Sequence, residues 1–182
     1  FDKDNMTCIV EPGIVLDELN RFLKPYGLWF PVDVSTSSRA TIGGMAGNNS
    51  CGGRSIRYGM MRDNVLEIEA ILSDGSVYNF GKLDENNILS SKEFAPSIIS
   101  KLIKLANDNK QEILSKFPKV LRRVGGYNIE ALIYDAMANR PNGKIGDGIN
   151  LSHLLVGSEG TLAYSSSIKL KLSPLPSKKI MG

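Results

Sequence analysis

Thirteen residues, Thr41-Ile42-Gly43-Gly44-Met45-Ala46-Gly47-Asn48-Asn49-Ser50-Cys51-Gly52-Gly53, set five glycines among small and polar side chains. Such a stretch is poor core material. Glycine admits positive φ and lacks the Cβ that would hold a flat or anionic ligand away from the backbone, and successive N–H groups in a loop or at a following helix start can form a concave anion site. The other reading of the same residues is a solvated turn without a ligand. A second candidate is Arg122-Arg123-Val124-Gly125-Gly126-Tyr127-Asn128, where two guanidiniums beside glycines could receive a carboxylate or phosphate. Metal chemistry has no support: two cysteines, Cys8 and Cys51, lie far apart with one histidine in the chain, too few ligands for a zinc or iron–sulfur site. Cys8, between apolar neighbours, is expected in the core, and Cys51 within the ligand loop.

Positioning these groups requires a scaffold, and the hydrophobic periods supply one. Met6 to Glu11 reads as a short strand ended by Pro12-Gly13. Leu16, Leu19, Phe22 and Leu23 recur at helical spacing, with acids in the first turn, bases in the last and Gly27 placed to end the helix. Leu28, Trp29 and Phe30 suggest a brief strand before Pro31. Val65 to Leu72, the turn Ser73-Asp74-Gly75-Ser76 and Val77 to Phe80 read as a hairpin. Ala95 to Phe117 has an amphipathic helical pattern, and a second helix is expected from Ile129 to Ala138. Asn139 to Asn150, rich in glycine, reads as a loop. After Gly157-Ser158-Glu159-Gly160-Thr161, alternation of Leu162, Tyr164, Ile168, Leu170 and Leu172 with polar residues predicts a strand with one buried face. His153, just before it, is expected to be structural or at the surface.

Composition excludes several classes. The chain has 182 residues, enough for one domain with a real core, a formal net charge of +3 with both signs interspersed, and 42% hydrophobic residues. A nucleic-acid surface is not indicated, no apolar run is long enough to span a bilayer, and no signal-peptide pattern opens the chain; a cytoplasmic location is expected. No glycine loop is followed by the lysine and hydroxyl residue of a nucleoside-triphosphate site.

Taken in order, Pro31-Val32-Asp33-Val34-Ser35, the glycine segment, Arg57-Tyr58-Gly59, the hairpin from Val65, Gly126-Tyr127-Asn128 and Gly157-Ser158-Glu159-Gly160-Thr161-Leu162 resemble the PCMH-type FAD-binding domain of the vanillyl-alcohol oxidase and p-cresol methylhydroxylase superfamily. The branch they are most similar to contains glycolate oxidase flavoprotein subunits, D-lactate dehydrogenases and D-2-hydroxyglutarate dehydrogenases. Similarity thins between Lys82 and Lys119. It departs from the common pattern at Ala163 and Tyr164, where relatives carry glycine and isoleucine.

The resemblance implies an α+β fold with a mixed or antiparallel sheet flanked by helices. Residues 1–182 would form a single partial FAD-binding domain, lacking its first half, with 83–150 as helical insertion and loops. It implies FAD as cofactor, contacted by Pro31, Val34, Ser35, Thr36, Thr41, Ile42, Gly43, Gly44, Gly47, Asn48, Ser50, Gly52, Gly53, Tyr164 and Ser165, with Arg122 and Arg123 toward an acidic substrate. The partners it implies are a small hydroxy acid, the missing N-terminal flavin-binding half, a C-terminal substrate domain and a fused iron–sulfur module found in some long relatives. The expected activity is oxidation of a D-2-hydroxy acid to the 2-oxo acid by the longer enzyme. The isolated piece is expected to be inactive and free of flavin. No residue here is assigned to catalysis and none to a metal. The competing class is a scaffold or binding module that keeps the fold without flavin.

Overall fold

The computed structural model describes residues 1–83, 96–120, 122–133 and 148–176. Its centre is a four-stranded antiparallel sheet in the order β1-β5-β3-β4, formed by β1 (Thr7–Val10), β3 (Val65–Ile71), β4 (Val77–Phe80) and β5 (Tyr164–Lys171). A two-stranded antiparallel ribbon joins β2 (Leu28–Trp29) to β6 (Ser173–Pro174). The expected α+β class is therefore met, with every strand pair among the described residues antiparallel. On β5, Ile168 faces Val10 on one side and Ile68 on the other, and Leu170 faces Cys8 and Val65. Both side chains are fully buried, so the middle of the sheet is a ladder of β-branched and aliphatic pairs.

The alternation predicted along β5 holds only in its second half. Ile168, Leu170 and Leu172 are buried, but Tyr164 is 65% exposed. The register shifts where Glu69 faces Ser167 and the next pair is Ala70 with Ser165, which leaves Ser166 as an extra residue on β5. One inserted residue reverses which side chains face the core, so Tyr164 turns outward. The Ser166 hydroxyl secures the bulge on the Glu69 carbonyl at 3.1 Å and carboxylate at 2.7 Å.

Helix α1 (Leu16–Leu23) buries Leu16, Leu19 and Leu23, each worth about 1.5 to 3 kcal/mol of transfer free energy. Phe22, expected on that face, is exposed and stacks instead with Phe1 and Tyr26. The chain then tightens into a 3-10 turn, Lys24–Tyr26, and ends at Gly27 with φ of 73°. Among the described residues three short helices follow, α2 (Ile42–Asn48), α3 (Ser55–Tyr58) and α4 (Met61–Asn64), and after the hairpin comes the longer α5 (Pro96–Asp108). The hairpin turn forms as predicted, Gly75 taking φ of 84° and Asp74 accepting from the Ser76 amide.

The long amphipathic helix is two helices. α5 stops at Asp108, Asn109 leaves helical geometry, and α6 (Lys110–Lys116) resumes, with Ala106 and Ile113 on the buried side. Ala95 lies outside the described residues. The helix expected from Ile129 is a single 3-10 turn, Ile129–Leu132, after which Ile133 is extended; its continuation to Ala138, and the loop from Asn139 up to residue 147, lie outside the described residues. A short helix α7 (Ser152–Leu155) buries His153, as expected of a structural histidine, and leads into the Gly157–Gly160 turn. One core cluster runs through α1, α2, the sheet, α5, α6 and α7.

Candidate functional site

The glycine segment is half helix. Ile42 to Asn48 form α2, capped by Thr41, whose hydroxyl accepts the Gly44 amide at 3.3 Å. The remaining first-turn donors are also taken: the Ile42 amide bonds Ile14 O at 2.9 Å, Gly43 bonds Pro12 O at 2.8 Å, and Met45 bonds Thr41 O. The anion cradle expected at this helix start is therefore filled by the protein's own carbonyls. None of the five glycines has positive φ; the left-handed residue here is Asn49, at φ of 51°. Two of the glycines instead let chain segments approach each other. A Cβ on Gly43 would lie 2.5 Å from that of Pro12, and one on Gly52 would overlap the carbonyl and carboxylate of Asp33. Gly44 differs: it is exposed, and a Cβ there would meet only the Thr41 hydroxyl, at 3.2 Å.

Beyond α2 the segment does make a cavity. A groove of about 600 Å3 is lined by Asp33, Val34 and Ser35 on one wall, Asn48, Ser50, Cys51, Gly52 and Gly53 on the other, and Val124 at the side. The first wall is held from below by buried Phe30 and Val32, with the Phe30 amide bonded to the Asn20 carboxamide at 2.7 Å. The two walls are tied together by Asp33, whose carboxylate accepts the Arg54 amide at 3.1 Å. Gly52 donates to the Ser55 hydroxyl at 2.9 Å, and Arg122 reaches over to the Gly52 carbonyl at 3.1 Å. The N–H groups of Cys51 and Gly53 are not engaged by any described residue.

Of the residues expected at a cofactor, the structure brings together Val34, Ser35, Asn48, Ser50, Gly52 and Gly53. Pro31 and Ile42 are buried in the core region, Thr36 sits in an exposed turn, and Gly43 packs on Pro12. Gly47 lies under the Glu159 backbone. Tyr164 and Ser165 stand on β5, opposite Ile71 and Ala70, outside the groove lining. Three lining residues escaped the sequence reading of the site. Asp33 carried a signal, an acid between two valines ahead of a turn rich in serine and threonine. Cys51 lies in the ligand loop where the sequence expects it, with no role assigned there, and Val124 carries no signal.

Beneath the groove, three motifs meet in one buried polar junction. Asn49, 0% exposed, accepts the Arg62 amide at 3.0 Å and donates to the Arg123 carbonyl at 3.4 Å. Asn128 donates to the carbonyls of His153 (3.1 Å) and Val156 (2.7 Å), and accepts from Arg123 at 3.0 Å and from Arg62. Glu130 pairs with Arg62 at 3.0 Å and with Arg123. Arg123 also lies over the Phe117 ring, 4.6 Å from its centre. Gly157, at φ of 89°, bonds the Ala46 carbonyl at 2.9 Å, and Glu159 bonds the Gly47 carbonyl at 3.0 Å, so the last carbonyls of α2 are capped from this side. The arginine pair thus divides: Arg123 is committed to the junction and Arg122 is exposed at the groove rim.

A second cavity, of about 900 Å3, opens between β4, α5 and the Phe117–Tyr127 segment, with Leu72, Phe80, Leu102, Leu154 and Leu162 among its walls. It is overwhelmingly apolar, whereas the groove offers carbonyl, hydroxyl, carboxamide and N–H groups together with glycine backbone. Concave sites of a few hundred Å3 with a few convergent polar groups suit a small organic ligand, and a flat ring system fits walls made of glycine. Among the described residues no cluster of three or more His, Cys, Asp or Glu is arranged to hold a metal, and no described helix is long and apolar enough to cross a membrane.

Residues 1–81, which contain both main walls of the groove, match the family described as FAD binding domain. Over 170 residues the chain is 34% identical to the D-2-hydroxyglutarate dehydrogenase of Pantoea ananatis, covering 92% of this chain and 16% of the relative. It is 28% identical over 179 residues to the D-lactate dehydrogenase [cytochrome], mitochondrial, of Arabidopsis thaliana, and 28% over 179 residues to the glycolate oxidase subunit GlcD of Bacillus subtilis. Those alignments cover 98% of this chain and 21% and 26% of the respective relatives, so the chain spans between about a sixth and a quarter of their length. The chain is therefore similar, along nearly all of its length, to parts of D-2-hydroxy-acid dehydrogenases and a glycolate oxidase subunit, and its residues 1–81 match an FAD binding domain.

Proposed function

We propose that the groove between Val34–Ser35 and Asn48–Gly53 receives FAD, and that the chain is the flavin-holding part of an enzyme oxidising a D-2-hydroxy acid to the 2-oxo acid. The observation that carries this is the position of the groove. Its two main walls fall within the residues that match an FAD binding domain, and they present backbone and small polar groups to a cavity of about 600 Å3. When bound, the flavin would supply the hydride acceptor, while the protein binds and orients. The residues of this chain suited to that task are the Ser35 and Ser50 hydroxyls, the Asn48 carboxamide and the N–H groups of Cys51 and Gly53.

Gly44, exposed one turn before the groove, keeps α2 open to an approaching ring. Tyr164 and Ser165 are proposed for the distal end of an elongated ligand, and Arg122 for the carboxylate of the substrate. Residues 1–182 act as one partial domain in this reading. The rest of the site and the substrate chemistry come from polypeptide of the kind that makes the relatives longer, and by itself the chain is colourless. The protein works in the cytoplasm.

Two measurements on the complete polypeptide test this. Its visible spectrum should show flavin bands, and Gly44→Leu should remove them while the far-ultraviolet circular dichroism stays unchanged, because the added side chain enters ligand space rather than the core. A Gly44→Leu protein that keeps stoichiometric flavin would take Gly44 and the start of α2 out of the ligand site. A wild-type protein without flavin, unable to quench FAD fluorescence on titration, would favour the scaffold reading.

A further inference from the structure

Glu159 occupies a position that glycine fills more cheaply. It is exposed and non-glycine at φ of 53°, between Gly157 and Gly160, which are also left-handed. For a side chain with a Cβ this backbone region is disfavoured, and such strain persists where the surroundings impose it. Its amide already caps α2 through the Gly47 carbonyl, and a glycine would make that bond equally well. What glycine would lack is the carboxylate, and the carboxylate has a specific partner: Glu159 Oε1 accepts from the Asn48 Nδ2 at 3.0 Å.

Asn48 lines the groove. A carboxamide on an exposed helix end can rotate by half a turn and exchange its donor and acceptor ends. The carboxylate, which only accepts, fixes that choice: the NH2 end must point to Glu159 and the oxygen away from it. The oxygen in turn accepts from the Ser50 hydroxyl at 3.4 Å, and Ser50 also lines the groove. Glu159, Asn48 and Ser50 form a polar relay along the rim, 111 residues apart in sequence at its first link.

We infer that Glu159 is a positioning residue of the flavin groove, holding the Asn48 carboxamide in one orientation so that Asn48 and Ser50 meet the ligand with a fixed donor and acceptor pattern. This rests on the FAD reading above. The role predicts opposite signs for two properties. Glu159→Gly relieves the backbone and removes the carboxylate, so the melting temperature of the complete polypeptide should stay level or rise by about 1 to 3 °C, while FAD affinity falls by about five- to tenfold, the worth of one neutral hydrogen bond. Glu159→Gln keeps an oxygen acceptor on the same stem and should retain affinity within about threefold.

The experiment is a differential scanning melt of apoprotein together with FAD titration by fluorescence quenching, on wild type and both variants. Weaker binding in Glu159→Gly with unimpaired melting, and rescue in Glu159→Gln, is the expected result. Unchanged FAD affinity in Glu159→Gly overturns the inference, as does a melting temperature that falls in step with affinity, or a loss in Glu159→Gln equal to that in Glu159→Gly. Failure of the underlying reading looks different, because wild type itself then shows no FAD binding.

Discussion

Asn48 and Asn49 are neighbours in sequence, yet one lines an open groove and the other is completely buried; Arg122 is likewise exposed, reaching the Gly52 carbonyl, while Arg123 is mostly withdrawn into the junction. The groove and the junction beneath it are therefore two layers built from the same motifs, one residue out of phase. The upper layer is open and keeps the Cys51 and Gly53 N–H groups unspent among the described residues. The lower layer spends its polar groups on one another and on the ends of α2. A motif doublet of this kind carries two tasks at once, so a substitution one position along should change the kind of damage rather than its degree.

The largest expected effect belongs to the junction. Glu130→Ala leaves two guanidiniums, Arg62 and Arg123, without their shared carboxylate in a buried setting. Breaking a buried ion pair by removing one partner costs about 3 to 5 kcal/mol, read as a lower midpoint in urea unfolding. A loss under about 1 kcal/mol would mean that the lower layer is not a brace and the contrast collapses.

The arginine pair gives the sharper comparison. Arg123→Ala should lower unfolding free energy by about 1.5 to 3 kcal/mol, the range of a hydrogen bond to a charged group, with its stacking on Phe117 lost as well. Arg122→Ala, at an exposed rim, should alter stability by no more than about 0.5 kcal/mol. Its effect is expected on the complete enzyme, as a rise in KM or fall in kcat/KM for the acid substrate of about one to two decades. Unchanged kinetics in Arg122→Ala would remove that residue from substrate binding, and equal stability losses in both variants would erase the division between layers.

A last contrast separates the cysteines. Burial pushes the Cys8 thiol up to about 11 from an ordinary value of 9.0. The folded protein then holds a proton that the unfolded chain releases above pH 9, so this contribution is complete below pH 9 and lost as pH rises through 11. The stability advantage of wild type over Cys8→Ala should shrink across that window in pH-dependent denaturation. Cys51, half-buried in the groove wall, should react with iodoacetamide before Cys8, and FAD should slow that reaction.

Much of the scaffold was legible because it rests on local periods. The strand at Thr7–Val10, the leucine face of α1 and the Asp74–Gly75 hairpin all follow from spacing and turn chemistry. What escaped depends on contacts distant in sequence. The Ser166 bulge is invisible along β5 because it is defined only against Glu69 on β3. The break at Asn109 falls within an unbroken amphipathic pattern. At the site, the residue types of the groove could be read from Val34, Ser35 and Asn48 to Gly53, but their reasons differed from those expected. Gly43 and Gly52 serve contact between chain segments, and no glycine of that stretch supplies positive φ, so counting glycines identified the place and not the mechanism.

The position of β5 has one more consequence, for the order in which the protein can be made. It lies between β1 and β3, so residues near 8 and near 68 join one sheet only through residues near 169. During synthesis the ribosome delivers β1, α1 and the β3–β4 hairpin well before the strand that unites them. Until then the apolar edges of two separate pieces stay open to pairing with other chains, and closing such a long loop makes folding slow. Nascent chains stalled short of Tyr164 should remain sensitive to protease and dependent on chaperones, and protection should come in a single late step once β5 has left the exit tunnel.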